Sequence, residues 1–124
     1  MARSVGLDRS QVVAAAALLA NQHGFDALTL AQVAEQVGVK LPSLYNHING
    51  LHALRRELAL HGLQQLLDRL SRAAIGIAGD DAVIALARAY RQYILDNPGV
   101  YAATVRAPAP DDRALIAVSE QIIA

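Results

Sequence analysis

The stretch TLAQVAEQVGVKLPSLYNH, Thr29 to His47, decides how the chain reads. Its first half predicts a short helix over Leu30–Val37. Thr29 precedes it as a cap, because its hydroxyl can accept a hydrogen bond from an orphan backbone N–H one turn on. Leu30, Val33, Ala34 and Val37 recur at three- and four-residue spacing and make one apolar face. Gly38 then supplies the left-handed backbone that ends such a helix without steric penalty. Val39 reads as a plug between two helices. Pro42 opens a second short helix, about 42–48, at a place where proline's missing N–H costs nothing. Leu44 and Ile48 form its buried stripe.

The opposite face of that second helix is polar. At about 100° per residue, Pro42, Ser43 and Asn46 point away from Leu44 and Ile48, with Tyr45 and His47 on the flanks. Small polar groups toward base edges and flanking donors toward phosphates suit a recognition helix. Spacing alone fits equally well an ordinary helical bundle whose polar face is solvated.

Working outward, GVKLPSLYNHINGLHAL, Gly38 to Leu54, resembles the signature of the TetR family of transcriptional regulators. The match runs in register from about Ser10 to Leu58, through Gly24-Phe25, Leu28-Thr29 and the tetrad Leu44-Tyr45-Asn46-His47. The resemblance implies an all-α fold. A three-helix helix-turn-helix DNA-binding domain, residues 1–50, would be joined by a long helix to a helical ligand-binding and dimerisation domain, residues 51–124. It further implies a cytoplasmic repressor that binds a pseudo-palindromic operator in double-stranded DNA as a homodimer, is released by a small-molecule effector, and needs no cofactor. Lys40, Pro42, Ser43, Tyr45, Asn46 and His47 fall on the family's DNA-contacting positions, with Thr29 and Gln32 beside them. Three positions depart from the pattern. Ala31 and Leu41 stand where relatives place polar groups, and Leu51 stands where many place a phosphate-holding lysine. Gln32 is the nearest substitute for the first. Arg3 and Arg9 are candidates for extra phosphate contacts.

Composition agrees with helices. Of the 124 residues 54% are hydrophobic and 4% aromatic, with alanine and leucine dominant. There is no cysteine, hence no disulfide framework and no thiolate metal site. Formal net charge is zero, which by itself does not mark a nucleic-acid binder. Residues 1–56 carry five basic and three acidic residues, and residues 57–124 six and eight, so the halves hold +2 and −2.

The first helix is predicted over Arg9–His23, with Val12, Ala16, Leu19 and Ala20 buried. Asp8 and Gln11 have capping-box spacing before it, which argues against reading this alanine-rich run as a signal peptide. Gly24 ends it. Phe25, the only phenylalanine, is expected to anchor it on the second and third helices. A long fourth helix runs from Leu51 to about Ala74, capped by Asn49, with Leu54, Leu58, Leu63, Leu66, Leu67 and Leu70 along it. Gly62 inside it either admits a close neighbour or marks a soft point. Gly76 and Gly79 break it, and Asp80 or Asp81 caps a fifth helix, Ala82 to Leu95, patterned by Ile84, Ala87, Tyr90, Arg91 and Ile94. Asn97-Pro98 leads into a short sixth helix to Arg106. Pro108 and Pro110 make a linker, and a seventh helix is expected from Asp111 or Asp112 onward. The apolar pattern is unfinished at Ala124. The resemblance implies two further helices that pair across a two-fold axis, so the chain reads as a piece of a longer protein or else as an unusually short member, and it is expected to self-associate poorly alone. No stretch has membrane-spanning length.

Catalytic groupings are lacking. Ser43, Ser71 and Ser119 have no nucleophile-elbow glycines. His23, His47, His52 and His61 have no cysteine or acidic partner at ligand spacing, so no metal site is expected. No glycine loop is built for phosphate. The alternative to a DNA-binding repressor is a helical protein–protein interaction module without DNA binding, which would explain the leucines and the neutral charge but not the polar face at 42–47. On the ligand side, the resemblance points to the helices after the fourth, where His61, Tyr90, Tyr93, Tyr101 and Arg106 are the polar groups available amid leucine and alanine walls.

Overall fold

A computed structural model describes residues 7–106, whose regular elements are all helices: α1 Arg9–His23, a 3-10 turn at Phe25–Ala27, α2 Leu30–Val37, α3 Leu41–Leu44, α4 Leu51–Ala73, α5 Gly79–Asp96 and α6 Pro98–Val105. The seventh helix and the Pro108–Pro110 linker lie outside the described residues, as does Arg3.

The capping predictions for the first two helices hold atom by atom. Asp8 accepts from the Gln11 backbone N–H at 2.9 Å, while the Gln11 side chain accepts from the Asp8 N–H at 2.9 Å. The same reciprocal box joins Thr29 and Gln32, at 3.2 and 3.0 Å. Each box satisfies two helix-start donors with side-chain oxygens. Gly38 ends α2 in the left-handed region, φ 79° and ψ 28°. The buried face of α1 is wider than the predicted stripe, adding Val13 and Ala15, because α1 packs against α2, α4 and α6 at once.

The third helix corrects the prediction. Regular α-helix covers Leu41–Leu44 alone, and Tyr45–His47 continue as a tighter turn. Asn46 N–H bonds to Ser43 O at 3.2 Å and His47 N–H to Leu44 O at 2.9 Å, both three residues back. Asn46, Asn49 and Gly50 are poor helix formers, so the last turn tightens instead of propagating. Ile48 N–H still reaches Leu44 O at 3.2 Å, which keeps the expected stripe intact, and both side chains are buried.

Two more caps differ from expectation. Gly50, at φ 108°, occupies the cap position of α4, so Asn49 does not cap it. Helix α5 starts earlier than predicted, at Gly79, from Ala78. Asp80 and Asp81 therefore sit within its first turn and act on its dipole, not as caps. The predicted apolar pattern of α5 is also mostly unburied. Ile84, Ala87 and Arg91 are exposed, Tyr90 and Ile94 half-buried, and Tyr93 is the residue fully enclosed. Among the described residues, the helices packed most closely on α5 are α4 and α6.

Helix α6 crosses α4 and α1 closely. Gly62 of α4 is buried, and a Cβ there would stand 2.6 Å from both Thr104 Cγ2 and Val100 Cγ1 on α6. Gly62 is thus a point of close packing, which answers the question left open by the sequence. At the other end of α6, a Cβ on Gly99 would collide with the Ala20 carbonyl of α1. Asn21 of α1 completes this joint. Its Oδ1 accepts from the Gly99 and Val100 N–H groups, each at 3.0 Å, and its Nδ2 donates to Asn97 Oδ1 at 3.0 Å. A side chain on one helix therefore caps the N-terminus of another.

Candidate functional site

The polar face predicted at the third helix is present. The αL turn at Gly38 redirects the chain after α2, and burial of Leu44 and Ile48 fixes which side of α3 looks outward. Lys40, Leu41, Pro42, Ser43, Tyr45 and Asn46 are exposed, Tyr45 by 50%, and His47 is half-buried. The structure thus brings six of the eight predicted DNA-contacting residues onto one short segment. Thr29 and Gln32 are engaged in their capping box. That leaves the Thr29 hydroxyl proton and the Gln32 amide N–H groups as their outward donors.

Arg9, the other candidate phosphate contact, is largely exposed and also has partners within the chain. Its Nε donates to the His47 backbone carbonyl at 3.4 Å, and its Nη1 lies 3.6 Å from Glu57 Oε1, while Arg56 Nη1 lies 3.1 Å from Glu57 Oε2. The guanidinium thus ties the start of α1 to the end of the polar turn and to α4. Phe25 is buried as expected. Its ring lies under two guanidiniums, Arg55 of α4 and Arg106 after α6, each 5.4 Å from the ring centroid. These two contacts tie the end of α1 to α4 and α6 as well.

Of the five residues proposed on the ligand side, the structure gathers two beside one cleft. Leu67, Leu70, Ser71, Ala74, Leu86, Ala87 and Tyr90 line a space of about 500 Å³ between α4 and α5. The Tyr90 hydroxyl lies 3.2 Å from that of Tyr101, with the rings edge to face. That hydrogen bond and then burial push the Tyr90 phenol up to about 12. Tyr93 is enclosed and donates to Gln65 Oε1 at 3.0 Å, and burial pushes it up to about 12 as well. His61 is half-buried on α4, and burial lowers its pKa. Arg106 is turned away from the cleft, paired with Asp26 at 2.8 Å. Among the described residues the cleft walls carry no charged side chain, and their polar side chains are the hydroxyl-bearing Ser71 and Tyr90. Among the described residues no group of His, Cys, Asp or Glu is placed to hold a metal, and no helix is long and apolar enough to cross a membrane.

A family profile described as "Bacterial regulatory proteins, tetR family" matches residues 12–47. The uncharacterized HTH-type transcriptional regulator YobS of Bacillus subtilis is 42% identical over 99% of this chain and 63% of its own. The uncharacterized HTH-type transcriptional regulator Rv0681 of Mycobacterium tuberculosis is 39% identical over 90% of this chain and 51% of its own. The chain belongs to the TetR family. Its fold agrees with the crystal structure of the TetR family transcriptional regulator PfmR from Thermus thermophilus, with a TM-score of 0.69 at 20% identity over 89% of this chain and 63% of that one. The chain spans between about half and two thirds of the length of the two curated relatives.

Within the TetR family frame, the three departures separate. Leu51 is half-buried and packs against the core, which removes it from the outward face. Ala31 and Leu41 are both exposed. The sequence reading missed Asn21 and Gly99, which join α1 to α6. Asn97-Pro98 marked a helix boundary, but nothing in the sequence says which distant side chain caps it.

Proposed function

We propose that this chain is the DNA-reading and ligand-sensing part of a cytoplasmic repressor, which binds a pseudo-palindromic operator as a homodimer and is released by a small molecule. The observation that carries the reading is the exposed Lys40–Asn46 segment, held by the Gly38 turn and by the buried Leu44 and Ile48. In the proposed interface, Ser43, Pro42 and Asn46 face base edges, while Lys40, Tyr45 and His47 face phosphates, with the Thr29 hydroxyl and Gln32 amide beside them. Residues 1–50 form the DNA-binding unit and 51–124 the regulatory one. The names of the relatives, as HTH-type transcriptional regulators, support this assignment.

For the effector, the supporting feature is the α4–α5 cleft. Its leucine and alanine walls and neutral hydroxyls at Ser71 and Tyr90 suit a mostly apolar, uncharged molecule. Such a ligand shifts operator affinity only through its differential affinity for two arrangements of the helices.

The test is selection of binding sites from genomic fragments, followed by affinity measurement as a function of salt. Recovery of a two-fold-related sequence, bound with a steep loss of affinity as salt rises, supports the reading. Absence of any enriched sequence refutes it. On the recovered site, Tyr45→Phe is expected to weaken binding to all sequences alike. Asn46→Ala should change the preferred base, an effect of about 1–3 kcal/mol.

A further inference from the structure

Leu41 stands outside the buried core. It is the first residue of α3 and is 37% exposed, while Leu44, one turn on, is completely buried. Its neighbours Lys40, Pro42 and Ser43 are exposed too. Together Leu41 and Pro42 make a small apolar patch between a lysine and a serine, at the start of the proposed recognition helix. Side chains on a helix lean toward its N-terminus, so Leu41 overhangs the N-terminal end of α3. That end is the one a helix-turn-helix protein presents to base edges.

A leucine has no donor and no acceptor. It cannot pair with the N7 and O6 of guanine, the N7 and N6 amine of adenine, or the N4 amine of cytosine. One apolar group is displayed in the major groove, the C5-methyl of thymine. We infer that Leu41 is a specificity-determining residue that reads a thymine methyl in each half-site of the operator. This rests on the reading of α3 as the DNA-reading helix. A G·C pair at the same position is disfavoured twice. It offers no methyl, and Leu41 would cover its polar edge without pairing it.

The inference is tested on the selected operator by replacing one thymine at a time, in both half-sites, with deoxyuridine. This deletes the methyl and leaves every hydrogen-bonding group in place. Affinities are measured by fluorescence anisotropy for wild type, Leu41→Ala and Leu41→Met, with circular dichroism confirming that each variant is folded. Wild type is expected to lose about fourfold in affinity at one thymine of each half-site, the size expected from burying one methyl group. Leu41→Ala should bind the thymine and uracil duplexes equally at that position, and Leu41→Met should keep the preference. Wild-type indifference to the methyl at every thymine overturns the inference while leaving operator binding intact. Retention of the full methyl preference by Leu41→Ala also overturns it, and assigns the contact to another side chain. Failure of wild type to bind any selected duplex overturns the reading of α3 beneath it as well.

Discussion

Replacing Gly62 by alanine separates two meanings of a glycine inside a helix. If Gly62 were simply a soft point in α4, alanine would stabilise the chain by about 1 kcal/mol, the usual propensity difference. The structure predicts the opposite sign. The new methyl would stand 2.6 Å from Val100 Cγ1 and 2.6 Å from Thr104 Cγ2, with Tyr93 Oη 3.4 Å away. Carbon atoms pack best at about 3.5–4.0 Å, so both side chains must retreat by roughly 1 Å. Val100 is fully buried and the site is enclosed, which leaves little room to retreat. Overpacking of this kind costs about 1–3 kcal/mol. Set against the propensity gain, the net loss is about 1 kcal/mol. Urea denaturation with linear extrapolation measures it. The cause is isolated by a double-mutant cycle with Val100→Ala. Truncating Val100 alone destabilises by leaving a cavity, but in the double mutant the alanine at 62 fills part of that cavity. The two losses should therefore sum to more than the loss in the double mutant. A Gly62→Ala chain more stable than wild type, with no coupling to position 100, would falsify the close-packing account.

Three other outcomes follow from the same joints. Asn21→Ala leaves the Gly99 and Val100 N–H groups without their acceptor and should cost about 2 kcal/mol in urea unfolding; Asn21→Asp keeps that acceptor but loses the donor to Asn97 Oδ1, so it should recover part of the loss, and equal losses in the two variants would contradict the capping role. Gly99→Ala drives a methyl into the Ala20 carbonyl, a backbone atom that cannot rotate away, so its melting temperature should fall further than that of Gly62→Ala; the reverse order would count against the α1–α6 contact. His61 is held below its ordinary pKa of 6.5 by burial, so on acidification through that value the unfolded chain binds the proton before the folded one. Stability from this group is present above pH 6.5 and is lost as pH falls toward the depressed value. Wild type should lose more stability than His61→Gln between pH 8 and 5, and parallel losses would refute it.

What the sequence made legible was local. The capping box at Asp8/Gln11, the Thr29 cap and the left-handed Gly38 are set by residues three to nine positions apart, and each appears where the pattern placed it, Thr29 with a reciprocal bond from Gln32 that the pattern had not named. The α3 segment was read a few residues too long because periodicity cannot distinguish an α-turn from a tightened continuation of it. The polar outward face was still readable, because burial of Leu44 and Ile48 fixes it whichever turn type is used. What stayed hidden were pairings between distant positions. Asn21 looks like a residue near a helix end, and its work is done at Gly99 and Val100, 78 and 79 residues on. Arg9 looks like a free cation near a terminus, yet it bonds the His47 carbonyl. Arg106 was assigned toward a ligand for its chemistry, and Asp26, 80 residues away, takes it elsewhere.

These long-range joints constrain how a ligand in the α4–α5 cleft can act on α3. The cleft touches α4 at Leu67–Ala74, and Glu57, which pairs with Arg9, lies near the other end of the helix. Ten residues separate Glu57 from Leu67, about 15 Å along a helix. Between them α6 lies against Gly62, and α6 is bonded to α1 through Asn21. Tilting α4 with α6 packed on it, and leaving α1 in place, would strip the Asn21 bonds, roughly 1 kcal/mol each for three bonds. Coupling free energies between sites are typically about 1–3 kcal/mol, so breaking the joint would consume all that a ligand usually supplies. Moving α1, α4 and α6 together costs no such bonds. On the proposed function, then, the effector changes operator affinity by swinging the α1–α3 unit as one body and altering the spacing between the two recognition helices of the dimer. Weakening the joint should uncouple the ends. Asn21→Ala should keep operator affinity in the absence of effector, since α3 and its turn are untouched, and should reduce the ratio of affinities measured without and with effector. A variant whose ratio matched wild type would show that α4 carries the signal without α6.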